Sequence, residues 1–162
     1  MKLAIKIFND YLDLDSIQAI LARAKSASEE EWALMNEPEV NGVFWDNKRM
    51  MIEQQYTAEL LSKLNLEFEG EYQLTAANKV QRFFEGDVLG PIVDSDHVPQ
   101  LAYSCILFLN GGGLGISISE QPILAKPGRL VLYDARLEYK IEGYRKPEPK
   151  YFITIFFNKA VQ

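Results

Sequence analysis

Residues 90 to 112, GPIVDSDHVPQLAYSCILFLNGG, set Asp94, Asp96 and His97 within four positions of one another, just ahead of an apolar run that ends in glycines. Two carboxylates and an imidazole are ligand types for a divalent ion. Strand alternation would send Asp94 and Asp96 to one side and His97 to the other, a poor geometry for one metal. A loop after Ile92 would relax that alternation and permit a magnesium or calcium site built from Asp94, Asp96 and water, with Glu138 as a third carboxylate. The competing reading is that DSDHVPQ is a solvated loop of turn-favouring residues, with His97 exposed beside Asp96. The chain has one histidine, so no site that needs two imidazoles can be assembled. A hydrolytic triad would have to be built around His97 alone, and no pattern supports it. The NGGGLG segment lacks the lysine and hydroxyl of a phosphate-cradling loop and reads as a hairpin turn.

The elements that must position these residues belong to one domain. The 162 residues are 48% hydrophobic and 25% charged, the balance of an ordinary globular chain. A net charge of −6 argues against binding a phosphate backbone. No run approaches the roughly 18 apolar residues of a membrane span, and MKLAIKIFNDYLDLD turns acidic too soon for a signal peptide. Nucleic acid and membrane are therefore not expected as partners, and the cytoplasm is the expected location. Cys105 is the only cysteine, which excludes an internal disulfide and fits a buried, inert thiol.

LAIKIF alternates Leu3, Ile5 and Ile7 against Ala4, Lys6 and Phe8, the pattern of a half-buried edge strand. A helix follows, capped by Asp13 or Asp15 and carrying Leu14, Ile17, Ile20, Leu21 and Ala24 on one face. Residues 28 to 47 read as a loop with a short helical turn, and KRMMIEQQYTAELLSKLN predicts a second helix with Met51, Tyr56, Leu60, Leu61 and Leu64 as its stripe. From Tyr72 onward the period changes to short strands: YQLTAANKVQRFF, QLAYSCILFLN, GISISE, QPILA, RLVLYDA, EYKIEG and KYFITIFFN. Helices followed by strands predict an α+β chain, a jelly roll of about eight strands with N-terminal helices on one face. It divides into a strand and helical flank over 1–70 and a β core over 71–162, within a single domain 1–162.

The segments VQRFFEGDVLGPIVD, YSCILFLNGGGLGISI, AKPGRLVLYDA and KYFITIFF, in that order and at these intervals, resemble the prolyl 4-hydroxylase type of iron(II)/2-oxoglutarate dioxygenase. The resemblance covers most of the chain and implies a cupin-like double-stranded β-helix. It also implies a metal site in which a histidine stands two residues before a carboxylate and a second histidine follows the LVLYDA strand. Here the carboxylate is Asp94, but the histidine positions hold Ile92 and Tyr139. The basic residue that pairs with the distal carboxylate of 2-oxoglutarate falls at Lys150, four positions before Thr154. The tyrosine that hydrogen-bonds the co-substrate falls at Phe83, which has no hydroxyl.

Ile92 and Tyr139 in place of imidazoles point to a barrel whose interior has been filled and made more apolar, which stabilises a scaffold. The expectation is a catalytically degenerate dioxygenase-like protein that holds no cofactor and acts as a binding or structural module with a protein partner or by self-assembly. A phage accessory or virion protein, assembled inside the host cell, is one home for such a chain. The alternative is an active atypical oxygenase or metal hydrolase, using iron(II) and 2-oxoglutarate or a metal rebuilt on Asp94, Asp96, His97 and Glu138, with Lys150 holding an acidic small molecule. A third reading is an assembly subunit with an apolar patch around Trp32, Phe44 and Trp45, although these rings could equally pin their loop onto the β core.

Overall fold

A computed structural model describes residues 4–33, 39–40, 43–44, 48–75, 79–145 and 147–160. Strand β1 (Ile5–Phe8) leads into helices α1 (Leu14–Ser26) and α2 (Glu29–Ala33), followed by the short pair β2 (Glu39–Val40) and β3 (Val43–Phe44), then β4 (Lys48–Met51) and helix α3 (Gln54–Phe68). The remainder is β5 (Tyr72–Leu74), β6 (Lys79–Phe83), β7 (Val88–Val93), a helical turn α4 (Asp94–His97), β8 (Leu101–Phe108), β9 (Leu114–Ile118), β10 (Gln121–Leu124), β11 (Leu130–Asp134), β12 (Glu138–Glu142) and β13 (Lys150–Lys159). A major sheet runs β1-β11-β8-β13-β6-β4, with β5 also paired to β13, and a minor sheet runs β10-β9-β12-β7. The eight strands β6 to β13 divide four and four between the facing sheets. This is a double-stranded β-helix, the form of jelly roll that the family resemblance implies, and β1 and β4 from the first 70 residues extend its major sheet.

The two faces of the major sheet enclose separate cores. On the outer face Val80, Cys105, Leu107, Leu130, Leu132, Ile153, Ile155 and Phe157 meet the helices. Helix α1 is capped by Asp13, whose Oδ1 accepts the Ser16 amide at 2.7 Å, and it buries Ile17, Ile20 and Ala24. Leu14 stays exposed. Helix α3 contributes Thr57, Leu60 and Leu64. Trp32 is fully buried against Tyr151 and beneath the Arg82 guanidinium, so it pins its segment to the β core. Trp45 lies outside the described residues, as does the Phe44 side chain.

Two elements differ from expectation. Residues 48–51 form an edge strand and not the start of a helix: Met50 pairs with Val80 in the β4–β6 ladder and buries on the helical side, leaving Met51 exposed. Ladder hydrogen bonds from β6 override the helical spacing of the methionines. In β1, Ile5 and Phe8 are half-buried and Lys6 and Ile7 exposed, so strict alternation gives way at this sheet edge.

The inner face packs against the minor sheet around Phe83, Ile106, Phe108, Val131, Phe152 and Ile116. Gly115 makes room there: a Cβ would stand 2.4 Å from Cζ of Phe108, so the missing side chain lets that ring pack inside the barrel. Gly90, at φ +100°, brings β7 against β12 where a Cβ would meet the Tyr139 carbonyl oxygen at 2.4 Å.

Candidate functional site

Alternation along the inner strands builds the site. Ile92 on β7 and Tyr139 on β12 are paired directly in the ladder, and both are buried. Asp94 begins α4 immediately after β7 and turns its carboxylate back into the barrel, where it is 7% exposed. The Tyr139 hydroxyl donates to Asp94 Oδ1 at 2.8 Å, and the Ser104 hydroxyl on β8 donates to Oδ2 at 2.6 Å. The Tyr133 ring packs on Tyr139 at 5.4 Å between centroids. Burial raises the Asp94 pKa against the opposing pull of these two hydroxyls and of the nearby His97. Burial, followed by the Asp94 charge, holds the Tyr139 phenol well above its ordinary value, so it stays a donor.

Lys150 and Phe83 are also ladder partners, deeper in the barrel. Lys150 is completely buried; its ammonium donates to the carbonyl of Gly115 at 2.7 Å and to that of Glu142, and lies 5.1 Å from the centre of the Tyr144 ring. Burial pulls its pKa down to about 7. Phe83 packs edge-on against Phe152, 5.0 Å away, in the space beside the amine. The amine is committed to two carbonyls and the surrounding volume is filled with rings.

Asp96 is exposed, whereas Asp94 and His97 line the same opening. Glu138 points outward, as alternation with the inward Tyr139 requires. DSDH is therefore a helical turn and not a solvated loop, and it delivers one carboxylate inward. The opening is a cavity of about 380 Å³ at the mouth of the barrel. Its walls include Ile92, Val98, Leu101 and Phe156, and its polar groups include Arg49, Lys79 and Asn158. Arg49 was hidden from the sequence: it alternates with the outward Met50, faces the barrel beside its ladder partner Gln81, and is 7% exposed. Its positive charge acts on Tyr139. Ser104 did carry a signal, being the polar residue in inward register with Ile106 and Phe108.

An iron(II) centre of the two-histidine, one-carboxylate kind needs two imidazole nitrogens and a free carboxylate oxygen on one face. The residues here do not fit it. Ile92 has no donor atom, Tyr139 keeps its proton, both Asp94 oxygens already accept hydrogen bonds, and a guanidinium contributes positive charge at the same place. Among the described residues no group of three or more histidine, cysteine, aspartate or glutamate side chains is placed to hold a metal. Burial also pushes the Cys105 thiol up, consistent with an inert core residue. No described helix is long and apolar enough to cross a membrane.

The architecture is the fold of the prolyl hydroxylase-like 2-oxoglutarate oxygenases. The chain is similar to a Pseudomonas putida prolyl-4-hydroxylase (TM-score 0.67, 15% identity, 99% of this chain and 95% of that one). It is similar to a Trichoplax adhaerens prolyl hydroxylase in complex with a hypoxia inducible factor oxygen degradation domain peptide (TM-score 0.64, 18% identity, 96% and 83%). A viral collagen prolyl hydroxylase from Paramecium bursaria Chlorella virus-1 gives a TM-score of 0.68 at 9% identity over 97% and 90%. No protein-family model matches the sequence, and no curated protein does.

Proposed function

We propose that this chain is a non-catalytic relative of the 2-oxoglutarate oxygenases that uses the barrel as a binding module. The observation that carries the reading is the closed set Ile92, Tyr139, Asp94 and Ser104, in which each polar atom is satisfied by another side chain of the set. Each Asp94 oxygen accepts a hydroxyl proton, so the carboxylate ties the end of β7 to β8 and β12. The two carbonyls on Lys150 and the rings of Phe83, Phe152 and Tyr144 around it support the same reading, because a distal carboxylate of 2-oxoglutarate would have to enter a filled volume to reach the amine.

Metal analysis of protein purified anaerobically, with 2-oxoglutarate turnover followed in parallel, tests the proposal. The expected result is far less than one iron per chain and no succinate formed. Stoichiometric iron(II) with turnover would establish the enzyme reading in its place.

A further inference from the structure

We propose that the end of the major sheet beside the last turn of α3 carries a second binding site, for a small phosphate or sulfate ester with a ring-shaped body. Beneath the helices the outer face of this sheet is apolar, with Leu130 and Leu132 on β11 and Cys105 and Leu107 on β8. One step further along each strand the alternation turns polar: β11 presents Asp134, β8 presents Tyr103, β13 presents Lys159 and β5 presents Tyr72. The ladders bring these four together, with Asp134 opposite Tyr103 and Lys159 opposite Tyr72. They line an opening of about 450 Å³ whose described lining shares only Leu101 with the barrel mouth. The inference therefore does not depend on the non-catalytic reading of that mouth.

The groups around this opening are rich in donors, and the carboxylate among them is spent. Asp134, 8% exposed, accepts the Arg136 amide and Nε on Oδ1, both at 2.9 Å, and Nη2 on Oδ2 at 2.8 Å. That fork fixes a guanidinium whose Nη1 makes no hydrogen bond among the described residues. The Lys159 ammonium is exposed, and the Ser95 hydroxyl lines the same opening. Hydrogen bonding to Tyr103 holds the Tyr72 phenol above its ordinary value, so it keeps its proton. Arginine and lysine only donate, so the matching ligand is rich in acceptors. Arg136, Lys159 and Asp134 leave a positive charge in excess, and Glu71 acts on Tyr72 from outside the lining. The donors come from the turn after β11, the end of β13 and α4; a tetrahedral head with several free oxygens can meet separate elements, whereas a planar carboxylate offers two. The Tyr72 and Tyr103 rings stand edge to face, 5.1 Å apart, and with Pro99 form a wall that an inorganic anion would leave in water and a ring would cover.

Titration of the full chain with phenyl phosphate and phenyl sulfate, with inorganic phosphate, phenol and benzoate as comparators, tests the proposal by calorimetry and amide chemical shifts. At least one ester is expected to bind about tenfold or more tightly than every comparator, the stronger of the two naming the head group. Shifts should centre on residues 72, 103, 136 and 159. Lys159→Met, at an exposed position, should weaken that ester about tenfold with the fold intact, and Tyr103→Phe, which keeps the ring, about threefold. Arg136→Met should weaken it at least as much as Lys159→Met; if the loss of the Asp134 partner prevents folding, the other two variants decide. Esters no tighter than any one comparator, shifts centred on the barrel mouth, or unchanged affinity in folded Lys159→Met would each overturn the proposal. Iron content and turnover of the same sample bear only on the reading of the barrel mouth.

Discussion

Strand β13 presents two different surfaces to its two sides. Outward it offers Tyr151, Ile153, Ile155 and Phe157 to the helices; inward it offers Lys150, Phe152, Thr154, Phe156 and Asn158 to the barrel. Alternate residues of one ladder thus serve unlike purposes. The outer set is almost wholly apolar and gains its stability from area removed from water. The inner set contains an amine, a hydroxyl and an amide, each of which costs free energy to bury unless it finds a partner. A structure that retains such groups inside has a use for their positions, or retains the arrangement of a fold that once did. Removing a residue from each side should therefore have different consequences.

The largest effect is expected on the outer face. Ile155→Ala, at a fully buried position, should cost about 2–5 kcal/mol in denaturant unfolding with little change at the barrel mouth. A smaller loss would mean that the helices can settle into the cavity it leaves.

Next comes the buried amine. The folded pKa of Lys150 is about 7 against an unfolded value of 10.5, so between these values the unfolded chain binds the extra proton and stability rises with pH. Below about pH 7 both states are protonated and the full penalty of the buried charge is present; above about 10.5 it is gone. Lys150→Met should lack this slope, so the stability difference between wild type and variant should change by up to a few kcal/mol in melts across pH 6.5 to 10. Parallel curves for the two proteins would contradict the assignment.

Tyr139→Phe should cost about 1–3 kcal/mol, because Asp94 Oδ1 loses its donor while staying buried. The Asp94 pKa is raised by burial, so the loss should be largest where the carboxylate is ionised and should shrink as the pH falls through its folded pKa. A pH-independent loss would point to ring packing alone. Asp96→Ala, at an exposed position, should change stability by no more than about 0.5 kcal/mol and leave metal content unaltered. A larger response to Asp96→Ala, or a loss of bound metal, would reopen the cation site on α4.

Much of this arrangement could be read from the sequence where the signal was local. Seven strand segments, a cap at Asp13 or Asp15 and most of the α1 stripe follow from spacing and turn residues, and the family resemblance placed Ile92, Asp94 and Tyr139 together before any contact was known. What could not be read depends on pairing between distant segments. KRMM has helical spacing, and only β6 alongside makes it a strand, which in turn aims Arg49 inward. Val88–Val93, interrupted by Gly90 and Pro91, has weak strand character until the close approach to β12 explains why glycine is needed. Lys150 was assigned to a ligand by its place in the family pattern, four positions before Thr154; two carbonyls contributed by β9 and β12 account for its burial.

Gly115 serves two roles at once, leaving room for the Phe108 ring and lending its carbonyl to Lys150. A larger residue there would push on the Phe108 ring and shift the carbonyl that Lys150 holds, so ring packing and the solvation of the buried amine would fail together.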